Sequence, residues 1–224
     1  MSRASTITWH LLRWPIWVCV ALSALLCYAA FDINKLQKTM ETRYGYTGLI
    51  KLKAWQQLID ANQSQSDVEK IKLTNNFFNK NIRFEEDIVH WKKMDYWATP
   101  LESLGSGAGD CEDFTIAKYM TLIKMGIATE HLRLIYVKAK IGGKNSHVFQ
   151  AHMVLGYFAD AKGEPVILDN LVSAIEPASQ RTDLYPIFSF NSEGLWIGNQ
   201  TQTDPTARLS RWRDLLARMK DEGF

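Results

Sequence analysis

Cysteine is scarce in this chain, with three in 224 residues. That count cannot build a disulfide scaffold, and being odd it leaves at least one thiol outside any internal pair. Net charge is nearly absent too, at a formal +2. Charged residues make up 22% and aromatics 12%, a balance that excludes a disordered or collagen-like chain. There are no repeats, no low-complexity tract, and no zinc-ligand spacing among the five histidines. No phosphate loop is present: Gly105-Ser106-Gly107-Ala108-Gly109 lacks both the following lysine and a preceding strand. What the chain does have is apolar material, 46% of its residues, enough for one domain with a sizeable core.

The long hydrophobic run lies at the N-terminus. Arg3, His10 and Arg13 lead into WPIWVCVALSALLCYAAF, eighteen residues without a charge. A basic start before an apolar stretch reads as a secretory signal peptide or an N-terminal membrane anchor. Its length sits at the border between the two, since a spanning helix takes roughly 20 apolar residues. Residues 1–31 are therefore read as this signal or anchor, and 32–224 as the working domain. The expected location is the periplasm, reached by export across the inner membrane, with a membrane tether if the segment is retained. Cys19 and Cys27 fall within the run, so Cys111 stands alone. Residues 1–29 hold two of the 26 basic residues and none of the 24 acidic ones, leaving the remainder balanced at 24 against 24. A neutral domain without a basic stripe argues against a nucleic-acid partner.

From Asp32 to Asn81 the pattern is helical. Leu49, Leu52, Trp55, Leu58 and Ile59 share one face, and Ser66 with Glu69 reads as a capping box opening a further helix. Residues 82–109 are less regular. The next helix is expected from Asp110 to a glycine stop at Gly126. Three strand-like runs follow, Leu132–Ala139, Val148–Phe158 and Pro165–Asp169, separated by turn-rich connectors. An amphipathic helix closes the chain from about Pro205 to Lys220. Helices followed by a run of antiparallel strands give an α+β domain.

Cys111 lies behind the glycine-rich turn, in the first turn of its helix, where helix amides and dipole favour a thiolate. Downstream, His152 sits mid-strand in AHMVL and Asp169 ends the next strand in VILDN. With the hairpin turn centred between Ala161 and Lys162, His152 and Asp169 become diagonal neighbours on one face. A centre one residue earlier pairs them directly, and only a register of opposite parity separates them. A cysteine at a helix tip near a histidine and an aspartate on adjacent strands has the nucleophile, base and orienter of acyl transfer. Each residue also has a plainer reading: a structural thiol, a hydrogen-bonded core histidine, a turn-capping aspartate. Trp97 is a weaker candidate for an oxyanion donor, against a reading as core aromatic.

The segment WATPLESLGSGAGDCEDFTIAKYMTL, with AHMVL and LDN after it, resembles the bacterial transglutaminase-like cysteine proteinases of the LapG type. The likeness covers roughly residues 35–220 and is most specific at GAGDCEDF. It implies a papain/transglutaminase-like core, with the catalytic cysteine at a helix N-terminus packed on an antiparallel sheet. The family's catalytic Cys, His and Asp fall on Cys111, His152 and Asp169. It further implies a periplasmic endopeptidase that cuts the N-terminal region of a large surface adhesin beside a di-alanine, releasing cells from biofilm. Its implied regulator is an inner-membrane receptor for cyclic di-GMP, whose periplasmic domain holds the protease inactive.

Asp110, Glu112 and Asp113 surround the nucleophile. Three carboxylates repel a thiolate unless something neutralises them, and calcium takes hard oxygen ligands of this kind. The plainer reading is that acids favour a helix N-terminus. The resemblance implies calcium dependence, with Asp110 and Glu112, and Asp113 beside them, as ligands. Two rival functions keep the same residues: a transglutaminase passing the acyl group to an amine, and a catalytically idle calcium-binding adaptor.

Overall fold

A computed structural model of the chain describes residues 31–224 apart from 144, 161 and 199. The segment read as a signal or anchor, residues 1–31 with Cys19 and Cys27, lies outside the described residues except for Phe31, and among the described residues no helix is long and apolar enough to cross a membrane.

Helices come first, as the periodicity requires. α1 (Ile33–Asn62) bends at Gly45, whose φ of 62° and ψ of −157° are non-helical, and it buries Leu36, Met40, Leu52, Trp55 and Ile59. α2 (Asp67–Asn81) starts with Ser66 accepting from the Glu69 amide at 3.4 Å, which is the Ser half of the expected capping box. The stretch read as irregular holds four short elements: β1 (Arg83–Phe84), α3 (Asp87–His90), α4 (Pro100–Ser106) and β2 (Ala108–Gly109). β1 and β2 pair in parallel, drawing the glycine-rich turn beside the Arg83–Phe84 strand. α5 (Cys111–Lys124) then runs to Gly126, whose φ of 89° supplies the left-handed stop.

The sheet contains β3 (Leu132–Ile141), β4 (Val148–Tyr157), β5 (Val166–Leu168), β6 (Glu176–Pro177), β7 (Leu184–Phe190), β8 (Gly194–Ile197) and β9 (Gln200–Thr203). Its order is β6-β5-β4-β3-β7-β8-β9, with every neighbouring pair antiparallel. The first three strands match the sequence reading to within two residues. Strands β6 to β9 were not anticipated. The C-terminal helix is divided at Leu209, which is extended, into α6 (Pro205–Arg208) and α7 (Ser210–Glu222).

Strand alternation sorts the apolar residues onto two faces. Leu132, Leu134, Met153, Leu155 and Leu168 join the main core with Phe114, Ile116 and Leu122 of α5 and Trp212 and Leu215 of α7. Ile135, Val137, Val154 and Ile167 form a smaller cluster on the opposite face. Trp55 ties α1 to α5 through its indole N–H, which donates to the Thr121 hydroxyl at 2.8 Å. The α+β class and the helix-on-antiparallel-sheet core expected of this chain are both present.

Candidate active site

The β4–β5 ladder pairs Leu155 with Leu168, Gly156 with Ile167 and Tyr157 with Val166. This is the diagonal one of the two favourable registers expected, so His152 and Asp169 are diagonal neighbours. His152 Nε2 lies 2.8 Å from Asp169 Oδ1, and both residues are almost fully buried. The ladder stops at Leu155, and the strands part just where His152 projects. Cys111 meets this opening from the tip of α5. Cys111 and His152 line one cleft of about 460 Å³ together with Asp87, Asp110, Glu112, Gln150 and Leu171.

Short polar links hold the helix tip in place. The Thr115 hydroxyl lies 2.8 Å from the Cys111 carbonyl oxygen and 3.0 Å from that of Met153, pinning the first turn of α5 to the residue after His152. Asp113 is fully buried; it accepts from the Ala98 amide at 2.7 Å and the Asp110 amide at 3.3 Å, fastening the loop before α4 to the start of α5. A Cβ at Gly109 would stand 2.6 Å from Asp113 Oδ2, so glycine is needed there for Asp113 to fold inward.

Asp169 is held on three sides. Its Oδ1 also accepts from the Leu171 amide at 2.9 Å, and its Oδ2 accepts from Arg181 at 2.7 Å. Burial alone raises a carboxyl's pKa, but the His152 hydrogen bond and charge, the Leu171 amide and Arg181 outweigh it and bring Asp169 down to about 2. An ionised carboxylate only accepts, so His152 Nε2 carries the proton and Nδ1 is left as the basic nitrogen. Below this pair lies Lys118 of α5, fully buried, its pKa lowered to about 7 by burial while Asp169 pulls it back up.

The acids at the helix tip act in the opposite sense. The Cys111 thiol donates to Glu112 Oε2 at 2.8 Å. Burial, the charges of Glu112 and Asp110 and that hydrogen bond push the thiol well above its ordinary pKa, with the Met153 amide as a counterweight. Burial and the neighbouring Glu112 and Asp113 carboxylates raise Asp110 to about 10. Asp87 rises to about 6, mainly by burial, although the Tyr96 amide donates to it. These acids therefore disfavour the thiolate.

Metal-ligand atoms come together here in two sets that share Asp110: Asp110, Cys111 and Glu112, and Asp87, Asp110 and Asp113. Asp87 Oδ1 and Asp110 Oδ1 are buried without a hydrogen-bond partner. Unsatisfied carboxylate oxygens beside further carboxylates are a donor set suited to calcium. Glu112 and Asp113, the other two acids named from sequence, therefore each meet Asp110, and Asp87 joins them. Asp87 was missed because it lies 23 residues upstream of Asp110, in the acidic run Glu85-Glu86-Asp87, where no ligand spacing marks it. Arg181 and Lys118 were missed for the same reason, as burial of a charge leaves no periodic signal. Trp97 does not border the cleft; it is buried and stacked on Phe190 at 5.7 Å.

Comparison with known proteins bears on this geometry. The family described as bacterial transglutaminase-like cysteine proteinase matches residues 52–203. Among solved structures, LapG of Legionella pneumophila is similar, with 36% identity over 83% of this chain and 96% of that one and a TM-score of 0.71. Its EGTA-treated form gives 36% identity, the same coverage and a TM-score of 0.72. Its calcium-bound form gives 37% identity over 83% of this chain and 98% of that one, with a TM-score of 0.70. No curated protein matches.

Proposed function

We propose, since this chain belongs to the bacterial transglutaminase-like cysteine proteinases, that it is a calcium-dependent endopeptidase with Cys111 as nucleophile, His152 as base and Asp169 as orienter. The observation that carries this reading is the 2.8 Å His152–Asp169 hydrogen bond beside a cleft that Cys111 also lines. In the proposed reaction His152 Nδ1 accepts the thiol proton and the sulfur attacks the scissile carbonyl. Amides at the start of α5 hold the oxyanion, and His152 returns the proton to the leaving amine. A water deprotonated by His152 then releases the acyl-enzyme. Throughout, Asp169 keeps the imidazole in one tautomer and stabilises its cation.

Asp110 and Glu112, with Asp87 and Asp113, are the residues proposed to hold calcium. The bound ion would offset the carboxylates that keep the thiol protonated. The existence of calcium-bound and EGTA-treated forms of the Legionella protein supports this part of the reading. The proposed setting is the periplasm, and the proposed substrate is the N-terminal region of a large surface adhesin, cut beside a di-alanine to promote biofilm dispersal. Control by the periplasmic domain of an inner-membrane cyclic di-GMP receptor belongs to the same proposal. The LapG-type likeness of the sequence and its basic, apolar leader support these three assignments.

The test is to incubate the full-length chain, and a Cys111→Ser variant, with an adhesin N-terminal fragment and calcium, reading products by mass spectrometry. A new N-terminus produced by the wild type alone is expected. Amine crosslinks in place of cleavage would make the protein a transamidase, and an unaltered fragment in both tubes would leave the idle adaptor.

A further inference from the structure

We propose that Arg181 is a positioning residue for the reaction above, acting through Asp169, and that Asp183 holds it in place. The assignment rests on the peptidase reading for its kinetic consequence, but not for its geometry. Arg181 is 4% exposed and follows the single helical turn 178–180, downstream of β5 and β6. Its Nη2 donates to Asp169 Oδ2 at 2.7 Å. The same Nη2 reaches Asp183 Oδ2 at 2.8 Å, and Nε reaches Asp183 Oδ1 at 2.9 Å, a two-point grip that fixes the guanidinium plane.

Asp169 therefore has each oxygen assigned. Oδ1 is shared by His152 and the Leu171 amide, and Oδ2 belongs to Arg181. Anchoring both oxygens stops rotation of the carboxylate, and that orientation is what aims the imidazole. The remaining neighbours cannot replace the grip. Lys118 acts on Asp169 only through its charge, and Asn79 donates to the Asp169 backbone carbonyl rather than to its carboxylate. Without Arg181, a buried carboxylate oxygen loses its partner and the ring loses its orientation. The backbone that carries Arg181 is itself fixed: its amide donates to the Ala178 carbonyl at 3.0 Å, and the Lys140 amide of β3 donates to the Asp183 carbonyl at 2.8 Å.

The test compares full-length wild type, Arg181→Met, Arg181→Lys and Asp183→Asn, all saturated with calcium. Cleavage kinetics are read together with the downfield proton NMR resonance of the His152 Nε2–H, identified by its loss in His152→Gln. Arg181→Met is expected to lose about 10–100-fold in kcat with KM nearly unchanged, as a misdirected catalytic group does. Its His152 resonance should shift or vanish, Arg181→Lys should recover part of both signals, and Asp183→Asn should show the same changes at smaller size. Folded variants with wild-type kcat and an unmoved resonance would overturn the assignment. So would an activity loss that only tracks the folded fraction while the resonance stays in place. Should Arg181→Met fail to fold, Arg181→Lys and Asp183→Asn decide on the same two readouts. A wild type that cleaves nothing, with the resonance still displaced in the variants, sinks the peptidase reading and leaves the Arg181 contact standing.

Discussion

At the scale of the residue, the site is governed by which charges find partners. Asp169 and Asp110 are both largely removed from water, yet their pKa values move in opposite directions. Asp169 has a histidine, an arginine and an amide around it, and its pKa falls to about 2. Asp110 has other carboxylates around it, and its pKa climbs to about 10. The Asp169 shift makes a stability statement with a definite sign. A carboxyl whose folded pKa is lowered stabilises the fold fully above its unfolded value of roughly 3.9, and loses that contribution as pH falls toward 2. The size is on the order of 2 kcal/mol. Between pH 5 and 2, therefore, wild type should lose stability more steeply than Asp169→Asn, which carries no such titration. Denaturant unfolding at several pH values measures this, and parallel curves for the two proteins would count against the ion pair.

At the scale of the element, legibility followed periodicity. α1, α2 and α5 and strands β3 and β4 were readable because their burial repeats at 3.6 or 2 residues over enough length, and the three-residue β5 because turn residues bound its apolar run. The hairpin register was left open by the sequence; the structure takes one of the two registers that bring His152 to Asp169 across two strands. Strands β6, β8 and β9 were not, since each is two to four residues long, and β7 carries Pro186 and an irregular register against β3. α4 was hidden by its serines and Gly105, although Thr99, Pro100 and Glu102 spell out its capping box. Of the site, the helix-tip thiol and acids were visible in sequence; Asp87 and Arg181 depend on packing between segments that share no pattern. One such packing contact is open to a direct test. Gly109→Ala places a methyl against the Asp113 carboxylate, which is itself fully buried and bonded to Ala98. Overpacking of this kind costs about 1–3 kcal/mol. The variant should melt earlier and cleave more slowly, because the helix tip moves with Asp113. Wild-type melting and cleavage would show that the turn tolerates the methyl.

At the scale of the whole molecule, the domain is nearly neutral, but its charges are not evenly spread. The cleft concentrates Asp87, Asp110 and Glu112, with Asp113 behind them, at the end of the helix that carries the thiol. Folding assembles this cluster from two separated segments, the one holding Asp87 and residues 110–113, so the unfolded chain has no equivalent site. A cation that binds only the folded form adds stability by mass action, about 2.7 kcal/mol at a concentration 100 times its Kd. For a protein of this size each kcal/mol moves Tm by about 2–4 °C, so saturating calcium should raise Tm by roughly 5–10 °C. Chelation should reverse that rise and abolish cleavage together, since the same carboxylates both destabilise the fold and hold Cys111 protonated. Asp87→Asn removes one of the two unpartnered oxygens. It should therefore bind calcium more weakly while melting no lower than wild type in chelator, having one less repelling charge to accommodate. Differential scanning calorimetry with calcium, with EGTA and with calcium restored measures both effects on each protein. Equal melting temperatures in all three conditions, with cleavage intact in EGTA, would remove calcium from the account and leave the acids as helix-capping groups alone.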